Sequence, residues 1–466
     1  MIHCFCINSC NLVLDVNSGA LHRVDDMTID LLEKACYAKS KKNGLAEAGN
    51  RERSNAFSAT GETDFELFCD DAHVFLGAFP ELRELVEKGQ LFSAENTDAV
   101  NLHMKDRKPV VKALCLHIAH ECNLRCAYCF AGQGNYSEND RGLMPLEIGK
   151  KALDFLIEHS GTRRNLEVDF FGGEPMLNFD VVKEIVAYGR KREAEAGKNF
   201  RFTLTTNGTL LTDENIEYIN ENFDNVVLSI DGRKHVNDKM RTFCGGGSYE
   251  KILPLIKRVA DSRENYYVRG TFTRHNPDFA ADVLHLADAG FKNISVEPVV
   301  APPEMDYAIT EELLPALFTD YEKLAEEVLL REKDGRGENF FHFEMDITGG
   351  PCIAKRVTGC GAGSEYLAVT PSGKLYPCHQ FVGDEKFQIG DLETGIIKSE
   401  IINDFASCHV LSKPECAECW ARFYCSGGCI ANAYHANGSI HIPDKISCEL
   451  MRKRIECALY IFAMRS

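Results

Sequence analysis

Residues 117–130 read HIAHECNLRCAYCF and place three cysteines, Cys122, Cys126 and Cys129, at spacings of three and two intervening residues just after an apolar run. Thiolates that close together on one loop can hold three corners of an iron–sulfur cube and leave the fourth iron open to a ligand. The same triplet could be half of a zinc site, or three small buried apolar residues. Taken alone it leaves these readings open, so the neighbouring sequence has to choose.

Outward from the triplet, CxxxCxxC with an aromatic residue, Tyr128, before the last cysteine resembles the signature of radical S-adenosylmethionine (SAM) enzymes. Further on, Phe171-Gly172-Gly173-Glu174-Pro175 resembles the GGEP element that follows the second strand of that family. Two independent motifs in the right order favour the cluster.

With 466 residues and 44% hydrophobic content the chain can bury the cores of two or three domains. A net charge of −18 argues against sequence-independent binding to nucleic acid or to anionic membranes, both of which need clustered Lys and Arg. Proteins, peptides and small molecules are the expected partners. There is no uninterrupted apolar run of membrane-spanning length, and MIHCFCINSC lacks the basic-then-apolar plan of a secretory signal, so a cytoplasmic location is expected. Clustering of the twenty cysteines in such a chain reads as metal loading rather than disulfides.

Along the chain, periodicity predicts strands over Ile2–Ile7, Asn11–Val16 and Ala20–Val24, with Asn17-Ser18-Gly19 as a tight turn. A helix starts near Asp26, 40–62 reads as a polar loop, and helices follow over 64–76 and 80–88. Three strands and about three helices in residues 1–93 resemble the winged-helix RiPP recognition element, which binds leader peptides by strand addition to an open sheet edge; Ala20–Val24 is the candidate edge. A purely structural cap fits the same pattern. Cys4, Cys6 and Cys10 read as strand packing and are assigned no metal. Residues 94–109 form a linker.

From residue 110 to 305 strand and helix alternate, with strands over Ala113–Ala119, Leu166–Phe171, Phe200–Thr205, Asn225–Ile230, Tyr266–Thr273 and Asn293–Pro298. Such units predict a parallel sheet, and six fit the partial (β/α)6 TIM barrel of radical SAM proteins, an α/β fold. Reactive groups of a barrel lie at the carboxyl ends of its strands, where the cysteine loop, GGEP, Thr206-Asn207-Gly208, Ser229 and Asp231 all fall. SAM carries an amino group and a carboxylate. Glu174 with the Gly172-Gly173 backbone suits the first, and Arg241 suits the second through a forked contact. By resemblance, Ser229 would join Arg241, and Asn207 and Asp231 would lie near the ribose.

Residues 306–350 read as a bridging helical region with a long helix over 310–332. Beyond it Cys360-x12-Gly373-x4-Cys378 is followed by Cys416-x2-Cys419-x5-Cys425-x3-Cys429 and Cys448. Two-residue spacings also suit a zinc ribbon. The order resembles the SPASM domain, here 351–466. That resemblance implies that Cys416, Cys419, Cys425 and Cys448 ligate a distal auxiliary [4Fe–4S] cluster and that Cys360, Cys378 and Cys429 hold a nearer one. The open iron of the nearer cluster would take a substrate thiolate or Cys352.

Nearly the whole chain, including LCLHIAHECNLRCAYCFAGQG, NLEVDFFGGEP and GCGAGSEYLAVTPSGKLYPCHQFVGD, resembles the thioether-forming radical SAM/SPASM maturases of SCIFF (six cysteines in forty-five residues) peptides. The resemblance implies SAM and three [4Fe–4S] clusters as cofactors. A 5′-deoxyadenosyl radical would take a hydrogen from an acceptor carbon, a donor cysteine would form the C–S bond, and an auxiliary cluster would accept the remaining electron. It also implies a cysteine-rich precursor peptide with its leader on the N-terminal domain, and an external one-electron donor such as flavodoxin or ferredoxin. A carbon–carbon cross-link, an epimerised centre or formylglycine would keep the same motifs. His379, where sulfatase-maturing relatives place a general-base aspartate, counts against formylglycine.

Overall fold

The computed structural model describes residues 1–33, 79–94, 110–136, 142–347 and 357–466. The stretch 40–62, the expected helix over 64–76, residues 95–109 and Cys352 lie outside them. At the start, β1 (Ile2–Ile7), β2 (Cys10–Asp15) and β3 (Leu21–Val24) form an antiparallel meander, so among the described residues β3 is paired on one side only. Gly19, at φ 77°, closes the second turn as its sequence requires. Asp15 organises that turn, accepting from Ser18 N at 2.9 Å and from Ser93 N at 2.9 Å.

Both faces of this sheet are covered, which explains its apolar pattern. Phe5, Ile7, Leu12 and Leu14 join the main hydrophobic core. On the opposite face Val13 meets Leu32, Leu82 and Leu91, with Ile2 and Cys4 packed beside them. Cys10 packs on the main core. The packing reading of Cys4 and Cys10 therefore accounts for their spacing.

The barrel strands are β4 (Ala113–His120), β5 (Asn165–Gly172), β6 (Asn199–Thr206), β7 (Asn225–Ser229), β8 (Tyr266–Phe272) and β9 (Asn293–Pro298). They pair in sequence order, every pair parallel. Between them lie α1 (Leu146–His159), α2 (Phe179–Ala196), α3 (Asp213–Asn222), α4 (Tyr249–Ser262) and α5 (Phe279–Asp288). Period-two alternation does the sorting: Leu166, Val168 and Phe170 of β5 are fully buried towards the helices, while Glu167, Asp169 and Phe171 face the lumen.

The sheet runs past the boundaries drawn from sequence. In the region read as a helical bridge, α6 (Leu314–Lys333) is followed by β10 (Asn339–Phe340), which pairs in parallel with β9. On the other flank β11 (Tyr366–Val369) pairs in parallel with β4 and continues through β12 (Lys374–Tyr376), β13 (Gly390–Asp391) and β14 (Gly395–Ile396). Two-residue strands are too short for periodicity to show. The C-terminal cysteine region is thus hydrogen-bonded to the strand that carries the first cysteine loop. Finally α7 (Lys445–Arg465) packs along α6, with Lys453 Nζ on Glu322 at 2.8 Å and Arg454 Nε on the Tyr321 hydroxyl at 2.8 Å. Among the described residues no helix is long and apolar enough to cross a membrane.

Candidate active site

The first cysteine loop leaves β4 at the carboxyl end of the barrel, and the GGEP segment clasps it. Gly173 N donates to Ala119 O at 2.7 Å and Glu174 N to Glu121 O at 2.9 Å. A Cβ on Gly173 would lie 2.1 Å from Glu121 O, and one on Gly172 (φ 124°) 2.4 Å from Ala119 O, so both glycines are fixed by close approach. Glu174 is buried and spends its carboxylate inside the protein, accepting from Thr206 Oγ1 at 2.6 Å, Asn207 N at 2.8 Å and Met176 N at 3.1 Å. Asn207 reaches the loop, with Nδ2 2.8 Å from Asn123 Oδ1 and 3.8 Å from Cys122 Sγ.

Arg241 comes to the loop through a short antiparallel pairing of Arg241–Phe243 with Leu124–Cys126, in which Arg241 stands opposite Cys126. Its Nη1 donates to the Tyr128 hydroxyl at 3.0 Å, and that hydroxyl donates to Asp231 at 2.7 Å. Burial raises the Asp231 carboxyl to about 6, with Arg241 the strongest opposing influence. Arg241 Nε is buried without a hydrogen-bond partner among the described residues. Ser229 ends β7 facing the lumen.

These features fit the groups that the motifs imply. Cys122, Cys126 and Cys129 lie within electrostatic reach of one another, and burial pushes the Cys122 thiol up to about 12, aided by Glu174 and the two other thiols. Such a thiol stays protonated at neutral pH until a metal takes the place of its proton. Beside it, the orphaned Nε of Arg241 is a donor without an acceptor, as a SAM carboxylate requires.

The seven later cysteines separate into two sets. Cys378 interacts with Cys429 and Cys360, whereas Cys448 interacts with Cys425, Cys416 and Cys419. Among the described residues no three His, Cys, Asp or Glu side chains converge tightly enough for a single metal ion. Cys416, Cys419, Cys425 and Cys448 instead line a cavity of about 370 Å³. Arg452 approaches Cys419 Sγ at 3.9 Å.

The wall between the first loop and the three-cysteine set is aromatic. Phe130, directly after Cys129 and 52% exposed, lies 5.4 Å from the His379 ring, and Phe171 lies 5.1 Å from it. His379 directly follows Cys378, and its Nδ1 is 3.0 Å from the Tyr366 hydroxyl. Burial, helped by Arg269, lowers His379 to about 4, so it is neutral at physiological pH. Beneath the loop His117 and His120 are both buried, with Nδ1 and Nε2 3.0 Å apart, and Tyr136 stacks on His120 at 4.5 Å. Sequence reading passed over Tyr136, Tyr366, Asp169 and Arg269. The last two carried a signal, being charged residues within strands whose alternate residues are apolar, LEVDFF and YYVRGTF.

Comparison with known proteins agrees with this geometry. Residues 116–287 match the Radical SAM superfamily and residues 360–420 the SPASM iron–sulfur cluster-binding domain. The radical SAM cyclopropyl synthase TigE of Paramaledivibacter caminithermalis is 22% identical over 76% of this chain and 75% of its own length. The structure of native anSMEcpe with bound AdoMet superposes with a TM-score of 0.63 at 20% identity, covering 76% of this chain and 98% of that one. Streptococcus suis SuiB bound to its precursor peptide SuiA gives 0.50 at 16% identity over 96% of this chain and 98% of that one. The fold and the two cysteine regions thus agree with a radical SAM core over residues 116–287 followed by an SPASM domain. The chain's cofactor chemistry is that of iron–sulfur clusters and SAM.

Proposed function

We propose that the protein is a peptide maturase that installs intramolecular thioether cross-links in a ribosomally made, cysteine-rich precursor. The observation that carries this reading is the separation of the auxiliary cysteines into a set of four and a set of three, with His379, which follows Cys378 of the set of three, 5.4 Å from Phe130, which follows Cys129. Four thiolates close a cube, whereas three leave a corner for a substrate thiol. In this reading Cys122, Cys126 and Cys129 hold one cluster, Cys360, Cys378 and Cys429 a second, and Cys416, Cys419, Cys425 and Cys448 a third. Cys352 is the protein's own candidate for the open corner.

SAM on the first cluster would supply a 5′-deoxyadenosyl radical, which removes a hydrogen atom from the acceptor residue. Arg241 and Ser229 hold the SAM carboxylate, the Gly172-Gly173 backbone meets its amino group while Glu174, engaged by Thr206, Asn207 and Met176, braces that segment from behind, and Asn207 and Asp231 lie towards the ribose. Phe130, Phe171 and Tyr136 exclude water between the two reacting parts.

The N-terminal meander serves as the recognition element of a winged-helix domain. The free edge of β3 offers main-chain groups to a leader peptide, which raises the local concentration of the core peptide. The likeness to SuiB, whose structure is bound to its precursor peptide SuiA, covers 96% of this chain and supports a peptide substrate. An external flavodoxin or ferredoxin supplies the first electron.

Mass spectrometry tests the reading. A cysteine-rich precursor incubated anaerobically with reconstituted enzyme, SAM and reductant should lose two hydrogens and one alkylatable thiol per link. Loss of two hydrogens with every thiol still free would overturn the thioether in favour of a carbon–carbon bond or formylglycine, which an aldehyde reagent separates. An unchanged mass alongside 5′-deoxyadenosine would reject the maturase reading.

A further inference from the structure

Arg269 occupies the middle of β8 between buried Val268 and Gly270, yet it is exposed, because it points into the open lumen. Its Cα stands opposite Ser229 of β7 on one side and Ser295 of β9 on the other. Its charge is felt by Asp169, Glu297, His342 and His379, which come from four different elements and surround the same chamber. The other charged groups there are satisfied: Glu297 pairs with Arg454 at 3.1 Å and lies 3.4 Å from His342. The guanidinium of Arg269 has no hydrogen bond or ion pair with any described residue. Across the lumen Asp169 Oδ1 is buried and has no partner among the described residues, although the carboxylate takes a hydrogen bond from Thr205. Opposite charges facing one chamber without meeting leave a gap for something that donates on one side and accepts on the other.

We propose that Arg269 and Asp169 clamp one peptide unit of the substrate, Arg269 donating to the carbonyl oxygen of the acceptor residue and Asp169 Oδ1 accepting an amide N–H. This rests on the peptide-maturase reading above. A peptide unit supplies the complementary pair of groups, and a forked guanidinium fixes a carbonyl in orientation as well as position. The carbon next to that carbonyl is thereby held at the level of Ser229, where SAM would lie, and on the side of His379, where the three-cysteine set begins. Positioning of this kind governs whether each radical event is productive.

The test uses anaerobic holoenzyme carrying Arg269→Gln, Arg269→Lys or Asp169→Asn. Its readouts are iron content, 5′-deoxyadenosine formed without peptide, and cross-links formed per 5′-deoxyadenosine with precursor. Arg269→Gln should keep its iron and its peptide-free SAM cleavage within about twofold, while cross-links per cleavage fall about tenfold or more. Arg269→Lys should recover part of that loss, and Asp169→Asn should raise KM for the precursor more than it lowers kcat. Wild-type coupling in Arg269→Gln would overturn the clamp. So would a parallel loss of peptide-free cleavage, which would assign Arg269 to SAM. If replacing acidic core residues of the precursor by amides reproduces the Arg269→Gln defect, a side-chain carboxylate is the ligand and the main-chain clamp is wrong. A wild-type enzyme that cleaves SAM but leaves the precursor unchanged would reject the maturase reading and the clamp with it.

Discussion

Tyr128 is held between Arg241 and Asp231 by its hydroxyl, at 3.0 and 2.7 Å. Removing that hydroxyl leaves a buried carboxylate and a buried guanidinium without their shared partner. Tyr128→Phe should therefore retain its iron but bind SAM about tenfold more weakly, which equilibrium dialysis would measure. Asp169 makes a prediction in pH. Burial raises its carboxyl to about 7, Arg269 being the first influence in the other direction. The folded state then holds this proton more tightly than the unfolded chain does. Its contribution to stability is fully present below about pH 4 and is lost as pH rises through about 7. Asp169→Asn should accordingly be more stable than wild type at pH 8, by an amount on the order of 2–4 kcal/mol, and the gain should vanish towards pH 4 in calorimetric scans. At this scale the cysteines and glycines were legible because their chemistry and spacing are local. The Tyr128–Arg241–Asp231 relay was not, since it joins residues that meet only when Arg241 comes opposite Cys126.

The N-terminal sheet is fastened to the two elements that hold the four-cysteine set. His3 stacks on Trp420, the residue after Cys419, with ring centroids 3.7 Å apart, and its Nε2 lies 3.1 Å from Glu456 of α7. Cys448 sits in the first turn of that same helix. Trp420→Ala removes a parallel stack, a contact on the order of 1 kcal/mol beyond its buried area. Amide exchange in β1 should quicken about tenfold in this variant while peptide-free SAM cleavage stays unchanged, as hydrogen-exchange mass spectrometry would show. The barrel strands were readable to within a residue or two because alternate residues meet helices or lumen, and Leu146–His159, Asp213–Asn222 and Tyr249–Ser262 carry uninterrupted helical periodicity. What local pattern could not supply was partnership: that Tyr366–Val369 joins β4, or that β1 lies against Trp420, depends on residues far apart in sequence.

Across the whole molecule, the parallel pairing of β11 with β4 binds both cysteine regions into one sheet, so the distance between the first loop and the auxiliary sets is set by strand geometry rather than by a linker. The two auxiliary sets stand differently towards the chamber. His379, the residue after Cys378, lies against Phe130, whereas the four-cysteine set lies beside Arg452 and Trp420, near the N-terminal sheet. On the proposed reading of three clusters, losing a cysteine from either set should remove one cube, taking the loaded chain from about twelve irons to about eight. The consequences then divide. Cys448→Ala takes away a group remote from the substrate, so peptide-free SAM cleavage should survive and cross-linking should slow through a lack of somewhere for the electron to go. Cys378→Ala takes away the corner where the donor thiol would bind, so cross-linking should stop while the precursor still quenches or stimulates SAM cleavage. Iron analysis, 5′-deoxyadenosine yield and product mass on the two variants separate these roles. Equal residual cross-linking in both would mean that neither set receives the substrate thiol, and the three-and-four division would then be structural only.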